Sequence, residues 1–177
     1  LAVILRKSIS SKPFIQLREE LDTIESYIKI QKIRFAGRFL YETEVPDMLE
    51  DCVIPKMILQ PLVENAIYHG MEFMDGDGEI FISAWKEGED LYLKVSDNGL
   101  GMTEEQVARL FSDMPHTGSS RGSGIGVKNV NERIRLYFGS EYGLSIESEP
   151  DEGTVVTIHL PAVAYSEIRQ KEEHDKT

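Results

Sequence analysis

Cysteine is almost missing from the 177 residues. The single Cys52 excludes an intramolecular disulfide framework and a zinc site built from cysteines. With no oxidising signature, a cytoplasmic setting is the default expectation. Long apolar runs are missing too. Residues 1–5 are apolar but far too short to span a bilayer, and Arg6 and Lys7 follow at once. Nor do they read as a signal peptide, since no charged region precedes them and no cleavage pattern follows, so no membrane contact by this chain is expected. The sequence does not open on Met, which suggests a piece of something longer. Basic residues are scarce: 19 Lys and Arg stand against 31 Asp and Glu, for a net charge of −12. Residues 1–38 hold eight Lys/Arg against four Asp/Glu, a balance of +4, so the remainder carries −16. So acidic a body is a poor candidate for sequence-independent nucleic-acid binding, which needs a basic surface, and no nucleic-acid partner is expected. An anionic ligand would need a metal ion or local backbone donors to offset that field.

What is present reads as a mixed α+β layer, with strands in hairpins and helices on one face. Leu17, Leu21, Ile24, Ile28 and Phe35, widened by Tyr27 and Ile30, predict a long helix over residues 17–35 with a face suited to packing or pairing. Gly37 ends it, and residues 38–45 alternate as a strand. Residues 47–53 are a connection. Residues 55–70 then read as one helix, with Pro55 at its first position, Gly70 past its end and a bend at Pro61. Ile58, Leu59, Leu62, Val63, Ala66 and Ile67 form its apolar stripe, and Asn65 and His69 lie one turn apart on a shared face. An Asn in such a helix is costly to bury unless something binds its amide.

Two strands, 79–86 and 91–96, form a hairpin after the Asp75-Gly76-Asp77-Gly78 turn. The loop Asp97-Asn98-Gly99-Leu100-Gly101 follows. Thr103 and Gln106 form a capping box for a short helix through Phe111. Residues 112–123 have no apolar period and read as a mobile loop. Gly124 opens a helix with Val127, Val130, Ile134 and Tyr137 inward and Gly139 as its stop. Residues 142–149 and 154–160 form a second hairpin, Pro161 ends it, and 162–177 is a charged tail, frayed or weakly helical. No internal repeat or low-complexity tract occurs.

A carboxylate at Asp97 can accept from an exocyclic amine, while Gly99 and Gly101 let a planar ring approach the backbone; an ordinary Asp-Asn-Gly turn is the plainer alternative. Gly122-Ser123-Gly124-Ile125-Gly126 precedes a helix, so its N–H groups can meet phosphate. The spacing is not that of the dinucleotide fingerprint. No Walker A motif and none of the eukaryotic kinase motifs occur.

Taken in order, VENAIYHG, DNGLGM, GSGIGVKNV and EGTVVTIHLP resemble the ATP-binding domain of the GHKL superfamily over roughly residues 39–161. That group includes gyrase-type ATPases, a heat-shock chaperone, MutL and sensor histidine kinases. The resemblance implies a two-layer α/β sandwich with a mixed, mostly antiparallel sheet, binding ATP and Mg²⁺. It implies that Asn65 coordinates the Mg²⁺, that Asp97 holds the adenine amine, and that Gly99, Gly101 and Met102 line the base, with Thr154 assisting. Gly122, Gly124, Gly126 and Lys128 would close on the phosphates, His69 would belong to the nucleotide site, and 112–123 would be the lid.

Where the ATPases carry an activating Glu one turn before the Asn, this chain has Pro61. Glu64 is the remaining candidate catalytic carboxylate, about 100° round the helix from Asn65. The stretch LREELDTIESYIKIQKIRF with QPLVENAIYHG resembles the LytS/YesM-like branch of sensor histidine kinases. Tyr68 stands where many members carry Lys, and offers a hydroxyl without a charge. In that branch the phosphate-accepting His lies upstream on a dimerising helix. His69, His116, His159 and His174 do not fit that role. Residues 1–36 would then be a helical remnant of the dimerisation and phosphoacceptor region, 37–161 the catalytic domain and 162–177 the tail. The implied partners are ATP, a response-regulator receiver domain and the chain's own upstream dimerisation helices in a homodimeric, membrane-anchored parent. A GHKL ATPase clamp and a nucleotide-binding scaffold without kinase activity are the competing readings.

Overall fold

The computed structural model describes residues 13–71, 77–111 and 125–166, and only the backbone of 69–71 and 125. A five-stranded sheet has the order β2(Phe39–Glu44), β4(Gly78–Glu87), β5(Asp90–Asp97), β7(Gly153–Pro161), β6(Gly143–Glu149). The β2–β4 pair is parallel and every other pair in this sheet is antiparallel. Inward-facing Ile80, Ile82, Ala84, Leu91, Leu93, Val95, Val156, Ile158 and Leu160 alternate with more exposed neighbours, the period-two pattern of a sheet covered on one side. They share one core with the helices, making the two-layer α/β sandwich the resemblance implied.

Helix α1(Leu17–Arg34) packs through Leu17, Glu20, Ile24, Ile28 and Gln31, a row of three- and four-residue steps. Ile30, expected to widen this face, is instead turned to solvent with Ile33. The strand β1(Phe14–Gln16) just ahead of α1 was not expected. It pairs antiparallel with β3(Val53–Pro55). The connection before β3 includes a short helix, α2(Asp47–Glu50).

The helix expected over 55–70 is three things. Pro55 ends β3, α3(Gln60–Asn65) begins only at Gln60, and Ala66–Met71 is a π-helix. Pro61 therefore produces no mid-helix bend. It lies in the first turn of α3, where its missing N–H costs nothing. The six apolar residues expected on the stripe are all buried, although Ile58 and Leu59 precede the helix.

Helix α4(Glu104–Leu110) starts on the expected capping box. Thr103 Oγ1 accepts from the Gln106 N–H, and Gln106 Oε1 accepts from the Thr103 N–H. Helix α5(Ile125–Phe138) buries Val127, Val130, Ile134 and Phe138, with Tyr137 half-buried, and Gly139 stops it at φ +113°. Both hairpins have the expected strands. Residues 162–165 are not frayed: Ala162 N–H donates to Glu89 O, Val53 N–H to Val163 O and Tyr165 N–H to Asp51 O. On the open face of the sheet, Trp85, Tyr92 and His159 stack in sequence, with His159 3.1 Å from Asp90. Among the described residues no helix is long and apolar enough to cross a membrane.

Candidate functional site

The alternation that buries Leu91, Leu93 and Val95 places Asp97, the last residue of β5, on the same helix-covered face. By the same parity Val156 carries Thr154 inward on β7. The register sets Thr154 opposite both Asp97 and Ser148 of β6. Three polar side chains thus line up across three strand ends, just where the apolar rows stop.

The row is tied together. The Asp97 carboxylate accepts from the Gly99 N–H at 2.9 Å and from the Thr154 N–H. Burial is the larger influence and pushes its carboxyl up to about 6, the two N–H groups acting in the opposite direction. Ser148 Oγ accepts from the Met102 N–H at 2.8 Å, donates to Gly153 O at 2.8 Å and lies 2.9 Å from Thr154 Oγ1. Ser148 was missed in the sequence, where it reads as one more polar residue of an exposed hairpin. Its inward parity with Leu144 and Ile146 is the signal that could have found it.

A cavity of about 590 Å³ opens between α4 and these strand ends, with Asp97, Val107, Ala108, Ser148 and Thr154 in its wall. That is the volume range of small-molecule pockets. Glu104, Glu149 and Glu152 also line it, so this end suits a neutral group that donates hydrogen bonds and repels phosphate.

Gly101 has φ +64°, and a Cβ there would lie 1.8 Å from Glu149 O; a Cβ at Gly153 would lie 2.0 Å from Asp97 O. These two glycines let the loop after β5 close against the β6–β7 turn, which the Asp151 N–H to Leu100 O bond of 2.7 Å also clasps. Gly99 is buried, while Met102 is half-buried.

Asn65 is half-buried at the junction where α3 widens into the π-helix, an irregularity frequent at functional sites. The π segment packs on β4, β5 and β7, and α3 packs on α5. At Gly126 of α5 an added Cβ would sit 3.4 Å from Pro61 Cβ of α3. Lys128, one turn into α5, reaches Glu132 at 3.6 Å. Glu64 accepts from Gln60 Nε2 at 2.9 Å and is close enough to Tyr27 to influence its ionisation. Arg34 at the end of α1 donates to the Tyr68 hydroxyl at 3.0 Å and lies 5.2 Å from its ring centroid. A cation therefore meets Tyr68 from another element. Burial, then Tyr68, pushes the Tyr27 phenol above its ordinary range.

The start of α3 has its own anchor. Glu20 is 2% exposed, and its Oε1 accepts from the Leu59 N–H at 2.8 Å and the Gln60 N–H at 3.2 Å. Burial pushes the Glu20 carboxyl up, while the Gln60, Leu59 and Ile58 N–H groups and Arg133 act in the other direction. Arg133 Nη2 of α5 donates to Met57 O at 2.7 Å, in a loop where Met57 has φ +60°.

Residues 112–123, expected to be the lid, with Gly122 and also Gly124, lie outside the described residues, as does the His69 side chain. Among the described candidates, Asp97, Gly99, Gly101, Met102 and Thr154 gather at the strand ends. Asn65, Gly126 and Lys128 belong to the neighbouring α3–α5 pair.

The described site is a cavity between α4 and the polar ends of the sheet strands, with the α3–α5 pair outside its wall, and comparison with known proteins gives the class of the chain. Residues 51–164 match the family of histidine kinase-, DNA gyrase B- and HSP90-like ATPases, and the chain belongs to that family. Residues 1–39 match the histidine kinase family. Among individual proteins, the chain is similar to the sensor histidine kinase YesM of Bacillus subtilis (strain 168), at 38% identity over 162 residues, covering 91% of this chain and 26% of YesM. The sensor histidine kinase BtsS of Escherichia coli (strain K12) is 34% identical over the same shares. The sensor protein LytS of Bacillus anthracis is 32% identical over 83% of this chain and 25% of LytS. The chain spans about a quarter of the length of these curated relatives. In fold it is similar to the catalytic domain of histidine kinase ThkA, with a TM-score of 0.65 at 18% identity, covering 84% of this chain and 94% of that one.

Proposed function

We propose that this chain is the ATP-binding catalytic unit of a sensor histidine kinase. In the parent protein the γ-phosphoryl of ATP passes to a His imidazole on a dimerising helix outside this chain, then to an Asp of a response-regulator receiver domain. The observation that carries the reading is Asp97, a carboxylate largely removed from water at a strand tip and oriented by two backbone N–H groups. Such a group recognises a hydrogen-bond donor with little reorganisation. The adenine amine donates to Asp97, the Thr154 hydroxyl held by Ser148 meets the ring edge, and Gly99, Gly101 and Met102 flank the base.

Asn65 offers one neutral oxygen donor. Among the described residues no group of three or more His, Cys, Asp or Glu gathers around an ion. That donor set fits a Mg²⁺ carried in largely by phosphate oxygens and water, with Asn65 as its protein ligand. When bound, the ion neutralises charge on the phosphate oxygens. Gly122, Gly124 and Gly126 with Lys128 hold the phosphates under the lid 112–123, and His69 belongs to the same nucleotide site. Glu64, tied to Gln60, acts as a supporting carboxylate beside Asn65 rather than as the base. The position one turn before Asn65 holds the Pro61 ring, packed toward Gly126, and this favours the kinase over the ATPase clamp. Residues 1–36 continue the dimerisation region, and the chain forms part of the cytoplasmic portion of a membrane-anchored homodimer.

Calorimetric titration with Mg-ATP tests the reading. We expect binding by the wild type and an affinity about ten- to hundredfold lower for Asp97→Asn, the range for a hydrogen bond to a charged group. Asn65→Ala should abolish the Mg²⁺ dependence of binding while adenosine still binds. Equal affinities across these variants would overturn the site. Acid-labile label on a phosphoacceptor segment supplied in trans is expected from γ-labelled ATP. Rapid Mg²⁺-dependent hydrolysis without it would favour the clamp.

A further inference from the structure

An acid within an amphipathic helix normally points to water, yet Glu20 occupies the buried row of α1 between Leu17 and Ile24. What it touches is the entrance to α3. One carboxylate oxygen caps the N–H groups of Leu59 and Gln60, six and five residues ahead of Asn65. The other, Oε2, is buried with no hydrogen-bond partner among the described residues. Arg133 reaches the same loop from α5, its Nη2 on Met57 O. The β3–α3 loop is thus gripped from α1 by an acid and from α5 by a base, and between them Met57 is kept in the left-handed region. Helix starts have unpaired N–H groups, and a six-residue helix that soon widens has little cooperativity of its own to fix its position.

We infer that Glu20 is a positioning residue of the nucleotide site, fastening the Asn65 helix to α1 so that the placement of α1 sets the placement of Asn65. This rests on the nucleotide reading above. It adds that the metal-and-phosphate end, and not the adenine end, answers to α1. Asp97 and Thr154 sit on sheet strands that Glu20 does not touch. Any displacement of α1 along its axis withdraws the carboxylate from Leu59 and Gln60 and leaves two buried N–H groups unpaired.

Two measurements on the 177-residue chain, compared among wild type, Glu20→Gln and Glu20→Ala, test this. The first is affinity for Mg-ATP by calorimetry and for adenosine by NMR titration. Glu20→Ala should weaken Mg-ATP by roughly tenfold or more with adenosine within about twofold. Glu20→Gln keeps an acceptor oxygen and should restore most of the Mg-ATP affinity. The second needs no nucleotide: amide exchange in Glu20→Ala should accelerate roughly tenfold or more at residues 59–65 and stay unchanged in β5 and β7. Equal loss of Mg-ATP and adenosine, or exchange that rises everywhere alike, would reduce Glu20 to a general stabiliser and overturn the inference. Unchanged Mg-ATP affinity in Glu20→Ala would overturn it too. If the wild type binds no nucleotide, the function proposed above fails and the exchange pattern alone decides whether the fastening exists. Should Glu20→Ala not fold, Glu20→Asp, which retracts the oxygens by one methylene, is expected to show the same pattern and overturns the inference if it does not.

Discussion

Asp97 and Thr154 sit on inner strands laddered on both sides and Ser148 on the edge strand paired with β7, whereas Asn65 sits on a six-residue helix that widens into a π turn. The strand-borne group is prearranged: each polar atom has a backbone or hydroxyl partner, and close glycine contacts lock the loop above it. The helix-borne group takes its position from side chains that arrive from α1 and α5. Recognition of a base belongs on the first kind of scaffold, because specificity gains from rigidity. A centre that must be switched belongs on the second, because a few contacts suffice to move it.

The largest effect should come from attacking the rigid half. Gly101→Ala puts a Cβ into Glu149 O at a backbone angle that L residues avoid, and should cost about 3 kcal/mol of stability, read as a lowered Tm. Gly88→Ala, at a similar angle in open space, is the matched control and should cost about 1 kcal/mol.

Next comes the ionisation of Asp97. Its folded carboxyl lies near 6 against an ordinary 3.8, so the folded chain prefers it protonated. The stability this preference brings is present below about pH 4 and is lost as pH rises through 6, on the order of 3 kcal/mol in all. Asp97→Asn should therefore unfold at a higher temperature than wild type at pH 7, with the gap closing by pH 4. Nucleotide affinity should run the other way. In the wild type it falls as pH drops below 6, since a protonated Asp97 accepts less well, while Asp97→Asn should be weak and flat across that range. A wild-type affinity unchanged between pH 7 and 5 would separate Asp97 from the ligand.

The smallest effect is Ser148→Ala. Releasing the Thr154 hydroxyl should weaken ATP by about fivefold, the worth of one neutral hydrogen bond, and leave Mg²⁺ dependence intact. A change in metal dependence there would erase the distinction between the two halves.

The same division governs how much could be read from the residues alone. The hairpins, the Thr103 capping box, the stop at Gly139 and the tip position of Asp97 rest on local chemistry, which a sequence displays directly. The β1–β3 pair does not, because Phe14–Gln16 and Val53–Pro55 are three-residue strands far apart in the chain with no turn signal between them. The start of α3 was misplaced because an apolar stripe at three- and four-residue spacing runs through Ile58 and Leu59 whether or not they are helical. Its π-helical end is invisible for the same reason. Glu20 could not be singled out because only the tertiary partner, two backbone N–H groups from another element, explains an acid in the core.

The parallel pairing of β2 with β4 carries a consequence for assembly. Both hairpins can zip up locally within microseconds, but β2 and β4 meet only after a crossover of roughly thirty residues has closed, and Asn65 lies inside that crossover. The pairing of β5 with β7 that sets Asp97 beside Thr154 closes a longer connection still, of roughly fifty-five residues. A newly made chain therefore forms its hairpins first, and both parts of the candidate site take shape only as the sheet is completed.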